Sequence, residues 1–238
     1  MTAPTLVDVA RQIATVTPLS EAAALGILGR LNTGYAWSPE RQQTSAKLVL
    51  GYSQMTVDLL EPRIEDIRIQ EIAHNLSHIC RFNGSTAQPY SVAAHSVFVS
   101  KLVRASGGAA WACLAGLLHD ATEAYLGDVS GPLKRSGYVD GYRELEDRWG
   151  AVIGRFAGLP LGALSADRVK YADLQALAFE MLVLMKHTEP EWQRPTSAQH
   201  VLFDECPPFG PAAAREFVLQ FRELTVEMRL EASTTVDG

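Results

Sequence analysis

This chain of 238 residues has no CxxC cysteine pair, no long apolar run and no excess of basic residues. The three cysteines, Cys80, Cys113 and Cys206, are odd in number and show no CxxC spacing, and we interpret Cys80 and Cys113 as buried free thiols. No run approaches the roughly 18 apolar residues of a membrane span. The N-terminus lacks the basic start and apolar core of a signal peptide. We therefore expect a cytoplasmic protein that makes no use of a membrane.

The net charge of the chain limits the kinds of molecule that it is expected to bind. Lysine and arginine number 21 against 27 aspartates and glutamates, a net charge of −6, which argues against a nucleic-acid polymer as a partner. A small anionic substrate stays open, because a metal ion and a few local basic groups can hold a phosphate on an acidic protein. The composition, 47% hydrophobic and 20% charged, is ordinary for a globular protein with a core.

The spacing of apolar residues predicts a mainly α fold, with one small β-hairpin near residues 46–59. Helices are predicted near residues 5–16, 20–31, 68–79, 91–103, 109–126, 140–157, 165–186 and 211–230, with Ser91 as an N-cap. Four prolines between His187 and Pro211 predict an irregular crossing. We divide the chain into an N-terminal helical extension and loop (1–57), a core (58–190), and a C-terminal crossing, helix and disordered tail (191–238).

The stretch from Leu114 to Pro132 carries the candidate chemistry. An apolar helical run leads directly to His119 and Asp120. Glu123 follows one turn later, and Asp128 comes directly after Gly127. Imidazole and carboxylate suit Mn, Fe, Co, Ni or Zn, and carboxylates also suit Mg.

One helix supplies too few ligands for a metal site, so further ligands must come from elsewhere. His95 and Asp173 are candidates, although a lone helical histidine is usually a core or surface residue and a lone aspartate usually belongs to a solvated face. Their order around His119 and Asp120 is what makes them persuasive.

A second histidine pair, His74 and His78, has the spacing of a zinc-protease helix. The general-base glutamate of that motif is absent, because Asn75 stands in its place and cannot accept a proton. We interpret the pair as structural, with a regulatory or second metal site as the alternative.

The order His95, His119-Asp120, Asp173 resembles the signature of the HD-domain metal-dependent phosphohydrolases. The similarity is closest to the bacterial and phage 5'-deoxynucleotidase branch, which also contains phage enzymes that hydrolyse deoxynucleoside triphosphates such as dATP. It covers about residues 58–182. Besides the signature, the similarity rests on five segments: Arg81-Phe82, Tyr90 to Val97, Leu118 to Ala124, Gly127 to Val129, and Pro132 to Lys134.

The resemblance implies an HD-domain helical bundle and a role for each matched residue. It makes His95, His119, Asp120 and Asp173 the ligands of a divalent metal ion (Mn, Co, Zn, Fe or Mg). Glu123 would orient or deprotonate water, and Asp128 would act beside the leaving oxygen. Arg81 would bind phosphate, Phe82 would lie beside the sugar, and Lys134 would contact outer phosphates.

The implied function is a metal-dependent phosphohydrolase acting on deoxynucleotides, first of all a 5'-deoxynucleotidase of deoxynucleoside monophosphates. A deoxynucleoside triphosphate triphosphohydrolase stays open, as does a non-catalytic nucleotide-sensing protein on the same fold. The chain contains no GxSxG elbow, Walker A loop or GxGxxG after a strand, which agrees with chemistry that needs no protein nucleophile. We also expect a homo-oligomer.

Overall fold

A computed structural model describes residues 46–189, 192 and 194–234, together with the isolated positions 11, 15 and 20. The chain divides into two compact units, Met1–Thr44 and Ser45–Gly238. The helices predicted at 5–16 and 20–31 and the loop that follows them lie outside the described residues apart from those positions. The account below concerns the second unit.

A two-stranded antiparallel hairpin begins this unit. It consists of β1 (Lys47–Val49) and β2 (Thr56–Asp58), with Leu48 opposite Val57. The buried carboxylate of Glu71 accepts the backbone N–H groups of Tyr52 and Ser53 and so holds the turn. The predicted hairpin is confirmed.

The rest of the second unit is mainly helical, also as predicted. In chain order the helices are α1 (Ile69–His78), α2 (Val92–Ala105), α3 (Ala110–Leu118), α4 (Glu123–Leu126), α5 (Gly131–Arg135), α6 (Asp140–Phe156), α7 (Asp167–Met185), α8 (Ser197–Asp204) and α9 (Gly210–Thr234). Short 3-10 turns lie at Ile64–Asp66, Arg81–Gly84 and Ala163–Ser165. The predicted cap is present, since the Ser91 side chain accepts the N–H of Ala94 at the start of α2.

Three boundaries differ from the prediction. The helix expected over 109–126 is interrupted after Leu118, where the backbone tightens to i→i−3 hydrogen bonds before α4 begins at Glu123. A short helix, α5, lies where a linker was expected. The crossing between His187 and Pro211 contains α8, which a capping box formed by Thr196 and Gln199 begins.

The core lies where α2 and α3 pack on each other and on α7 and α9. Trp149 of α6 is fully buried, stacks on Tyr125 with 4.0 Å between ring centroids, and donates its indole N–H to the Leu59 carbonyl. These contacts tie α6 to α4 and to the residue that follows the hairpin. Among the described helices, none combines the length and the apolar character needed to cross a bilayer.

Candidate metal centre

Three separate helices bring His95, His119, Asp120 and Asp173 together. His95 lies one turn into α2, His119 and Asp120 lie in the tight turn after α3, and Asp173 lies near the start of α7. The break after Leu118 therefore falls at the candidate ligands themselves. All four residues named from the sequence meet at one place.

The distances between their polar atoms are short. Nε2 of His95 lies 3.3 Å from Nε2 of His119 and 3.1 Å from Oδ1 of Asp173. Oδ2 of Asp120 lies 3.2 Å from Nε2 of His119 and 3.6 Å from Nε2 of His95. One ligand atom from each of His95, His119 and Asp120 lies within 4.8 Å of the other two, so these three residues could hold a metal ion.

The hydrogen bonds of the two imidazoles identify the atoms that face the centre. Nδ1 of His119 lies 2.8 Å from the carbonyl oxygen of Gly116, which can only accept, so Nδ1 carries the proton and donates it. Nδ1 of His95 likewise faces the Glu180 carboxylate at 2.8 Å. In the neutral rings both Nε2 atoms therefore present lone pairs. Two nitrogen lone pairs and two carboxylate oxygens converge with no donor among them, and such a set requires a cation. The donor set fits a divalent metal ion.

The pKa shifts reflect the same demand for positive charge. Burial and, for His95, the charge of Arg81 lower the pKa values of the two histidines, but the neighbouring carboxylates outweigh both effects and raise them, that of His119 well above its usual value. Burial raises the pKa of Asp120, yet the charge and hydrogen bond of His119 outweigh it and lower that pKa. Asp173 behaves similarly: its hydrogen bonds to the two histidines outweigh burial and lower its pKa. The shifts thus show that the surrounding carboxylates stabilise positive charge at this cluster.

Glu180, a residue that sequence reasoning missed, supports the cluster from behind. Its carboxylate is fully buried and binds three donors: Nε of Arg81 at 3.0 Å, the Tyr90 hydroxyl at 2.8 Å and Nδ1 of His95 at 2.8 Å. A carboxylate behind a metal-binding histidine fixes its tautomer and raises its basicity. The sequence signal that could have found Glu180 is its position seven residues after Asp173, which puts both on one face of α7.

Arg81 lies beside the cluster and bridges it to Glu180. Its Nη1 is 3.8 Å from Oδ2 of Asp120, and its guanidinium lies 5.2 Å from the centroid of the Phe82 ring. Phe82 and Asn83 both have left-handed backbone conformations, with φ of 54° and 51°, which are unfavourable for a bulky residue such as Phe82. Arg81 therefore lies near the candidate ligands. The ring of Phe82 packs against the Arg81 guanidinium.

Glu123 and Asp128 lie close enough to Asp120 for its charge to act on both. Glu123 is the first residue of α4, and its Oε2 is buried with no hydrogen-bond partner among the described residues. Burial first, and then the charges of Asp120 and Asp128, raise its pKa well above the usual value. Burial also raises the pKa of Asp128, which follows Gly127 at a φ of 80°. Two carboxyls that hold protons more tightly than usual thus stand next to the candidate ligands.

Lys134 reaches this region from α5. Its Nζ lies 3.5 Å from Oε1 of Glu123 and 2.7 Å from Oε1 of Glu146, and it sits 5.3 Å from the ring centroid of Tyr142. Sequence reasoning named Lys134 but not Glu146, which holds it in place from α6.

The pair His74 and His78 lies apart from this centre. Their rings pack at 4.5 Å, and Nδ1 of His78 lies 2.7 Å from the His74 carbonyl oxygen. In the part of the chain that the structure describes, they belong to no group of three or more metal-ligating side chains.

The fold and the site define a mainly helical protein with a buried histidine–aspartate group that could bind a metal ion. Comparison with models of known protein families finds no match. The uncharacterized protein YfdR of Escherichia coli strain K12 is 44% identical over 116 residues, which are 49% of this chain and 60% of YfdR. The uncharacterized protein RCAP_rcc00048 of Rhodobacter capsulatus is 41% identical over 145 residues, which are 58% of this chain and 73% of that protein. The chain belongs to the same family as RCAP_rcc00048, and it spans less than two thirds of YfdR.

Proposed function

We propose that this protein is a metal-dependent phosphohydrolase of the HD-domain type that acts on deoxynucleotides, in the first place on 5'-monophosphates. The observation that carries the proposal is the convergence of two imidazole lone pairs and two carboxylate oxygens, with Arg81 3.8 Å from Asp120 and Glu123 close enough to feel the charge of Asp120. Such a set combines a cation site, a phosphate-binding arginine and a protonatable carboxyl. Phosphoryl transfer to water needs these three components and no protein nucleophile.

His95, His119, Asp120 and Asp173 would hold the ion. When bound, a divalent ion lowers the pKa of water toward about 7 and polarises a phosphoryl oxygen. Arg81 would bind a non-bridging phosphate oxygen, because its guanidinium is fixed by Glu180 on one side and still offers donors toward Asp120.

Glu123 would take the proton from the attacking water, since its raised pKa brings the carboxyl nearer to the pH at which a general base is most effective. Asp128, with a pKa also raised by burial, would return a proton to the leaving oxygen.

A phosphate-release screen tests the proposal. The protein is incubated with deoxy- and ribonucleotides at each phosphorylation level, with Mn, Co, Zn, Fe or Mg varied in parallel. We expect inorganic phosphate and a nucleoside from deoxynucleoside monophosphates. Tripolyphosphate and a nucleoside from a triphosphate would instead identify a triphosphohydrolase, pyrophosphate and a monophosphate would identify cleavage between the α and β phosphates, and inertness toward all nucleotides would favour a non-catalytic nucleotide-binding protein.

The variant Glu123→Gln tests the mechanism. It keeps the shape of the side chain but cannot accept a proton, and general-base catalysis is typically worth about 10²–10⁴-fold. We expect kcat to fall by that factor while metal affinity is kept. Glu144→Gln is the matched control, because Glu144 is exposed and pairs only with Arg148 among the described residues. Full activity of Glu123→Gln would contradict the assignment.

A further inference from the structure

The face of α9 that points away from the core carries exposed apolar residues. Phe217 and Leu224 are buried on the core side of this helix. Leu219, Val226 and Leu230, on the opposite side, are 46%, 56% and 63% exposed. Single exposed apolar residues are ordinary on protein surfaces, but these three follow one another at spacings of seven and four residues. At 3.6 residues per turn, they form one apolar stripe along the helix.

Charged residues border this stripe on both sides. Arg215, Arg222 and Arg229 follow one edge at seven-residue intervals. Glu216 and Glu223 follow the other edge, because each is rotated by about 100° from the arginine before it. None of these five side chains forms an ion pair or a hydrogen bond with another residue of the described part of the chain. The stripe thus has one basic edge and one acidic edge, both without partners in that part.

The basic edge also borders a groove. Arg215 and Arg222 line it together with His74 and His78 of α1, and its volume is about 400 Å³. Among the described residues, no aspartate or glutamate lines this groove, although the chain as a whole has more acidic than basic residues. A partner that enters the groove should therefore bring negative charge.

Charge complementarity indicates which partner fits. When two parallel copies of α9 are related by a twofold axis that runs along them, the basic edge of each faces the acidic edge of the other. Arg222 of one copy then lies opposite Glu223 of the other at nearly the same height, because adjacent residues are about 1.5 Å apart along the axis. An antiparallel pair would set like edges against each other. An anionic lipid surface would meet Glu216 and Glu223 as like charges.

We propose that α9 pairs in parallel with α9 of a second copy of this chain. Leu219, Val226 and Leu230 form the seam, and the glutamates of each copy lie at the basic groove of the other. None of these residues is a candidate metal ligand or substrate contact, so the pairing is independent of the proposed function. The stripe from Arg215 to Leu230 is about 22 Å long, which is short for a permanent interface. The dimer therefore dissociates at micromolar concentrations.

Sedimentation equilibrium of the full chain tests the pairing at low ionic strength, where exposed charges are least screened. We expect Arg222→Glu to weaken dimerisation by about tenfold or more, because two attractive contacts in each dimer become repulsive. Adding Glu223→Arg to this variant exchanges the two edges and restores the net charge of the wild type. This double variant should dimerise as the wild type does.

Two further variants separate the contributions. Arg143→Glu makes the same change of charge at an exposed position of α6, and it should leave the dissociation constant unchanged. Val226→Asp places a charge in the apolar seam and should weaken the dimer by about tenfold or more. Both positions are exposed, so circular dichroism should show the helix content of the wild type in every variant.

Three results would overturn the proposal. The first is a wild type that stays monomeric at about 200 µM, well above a micromolar dissociation constant. The second is a dimer that Arg222→Glu and Val226→Asp leave intact, since pairing would then use another surface. The third is a double variant that dimerises as weakly as Arg222→Glu alone, because the parallel arrangement requires the exchanged charges to attract.

Discussion

Replacing Glu180 by glutamine removes one charge from the most deeply buried part of the site. Glu180 binds Arg81, Tyr90 and His95 through two oxygens. Glutamine keeps one oxygen, which can still accept from Tyr90 and His95, but its amide group would then point a donor at Nε of Arg81, 3.0 Å away in the wild type. Arg81 would lose its closest partner.

The expected loss of unfolding free energy depends on the partners that Arg81 keeps in the variant. Breaking a buried ion pair by removing one partner costs about 3–5 kcal/mol. The side chain of Arg81 is 12% exposed and keeps Asp120 at 3.8 Å, so we expect the lower end, about 3 kcal/mol of unfolding free energy. Because the carboxylate behind His95 also makes that ligand more basic, metal affinity should fall by about 10- to 100-fold.

Two measurements on the same variant check this reasoning. Urea unfolding in the presence of a chelator gives the loss of stability, and competition with a fluorescent chelator gives the dissociation constant of the metal. Glu205→Gln is the control: it removes an exposed carboxylate that pairs with Lys101 at 2.8 Å, and should change stability by no more than about 1 kcal/mol. A Glu180→Gln protein with wild-type stability and wild-type metal affinity would refute the role we give to Glu180.

Two further predictions concern protons and thiols. His95 and His119 have raised pKa values in the metal-free fold, so their contribution to stability is complete below about 6.5, the pKa of an unperturbed histidine, and is lost as pH rises through the folded-state values. The melting temperature measured with a chelator should therefore fall as the pH rises above about 6.5, and saturating metal should reduce the fall; a melting temperature that rises with pH there would contradict the expected sign. Burial raises the pKa of Cys206 to about 12, so iodoacetamide at pH 8 should label half-buried Cys80 first and Cys206 only after unfolding, as mass spectrometry of peptides would show; rapid native labelling of Cys206 would contradict its burial.

Much of the fold was accessible from sequence because local signals agree with it. The cap at Ser91 and the apolar periodicity of α2 and α6 each predict an element that the structure contains. Apolar periodicity could not locate the break after Leu118, because a switch from i→i−4 to i→i−3 hydrogen bonds changes the spacing of buried positions too little over four residues. The density of prolines hid α8, although the Thr196–Gln199 capping box was present in the sequence.

Some residues of the candidate site were likewise predictable from the sequence, and others were not. The proposed ligands were found by order and spacing, and the Nε2 atoms of the two histidines lie 3.1 to 3.8 Å from the nearest carboxylate oxygens of Asp120 and Asp173. Glu180 and Glu146 were missed because each is a single glutamate in a helix, a position that is usually solvated. Their importance depends on contacts with residues 99 and 12 positions away, Arg81 and Lys134, which no local pattern encodes.

The long helix α9 has a consequence for biosynthesis. Ala213, Phe217 and Leu224 of this helix are buried in the core, and α9 packs on α1, α2 and α3. Every proposed ligand lies before Gly210, so a ribosome exposes the histidines and aspartates before the helix that completes their scaffold. Domains fold as units once their chain is available. Until α9 leaves the exit tunnel, the nascent chain carries the proposed ligands on an incomplete core whose apolar surface is still exposed.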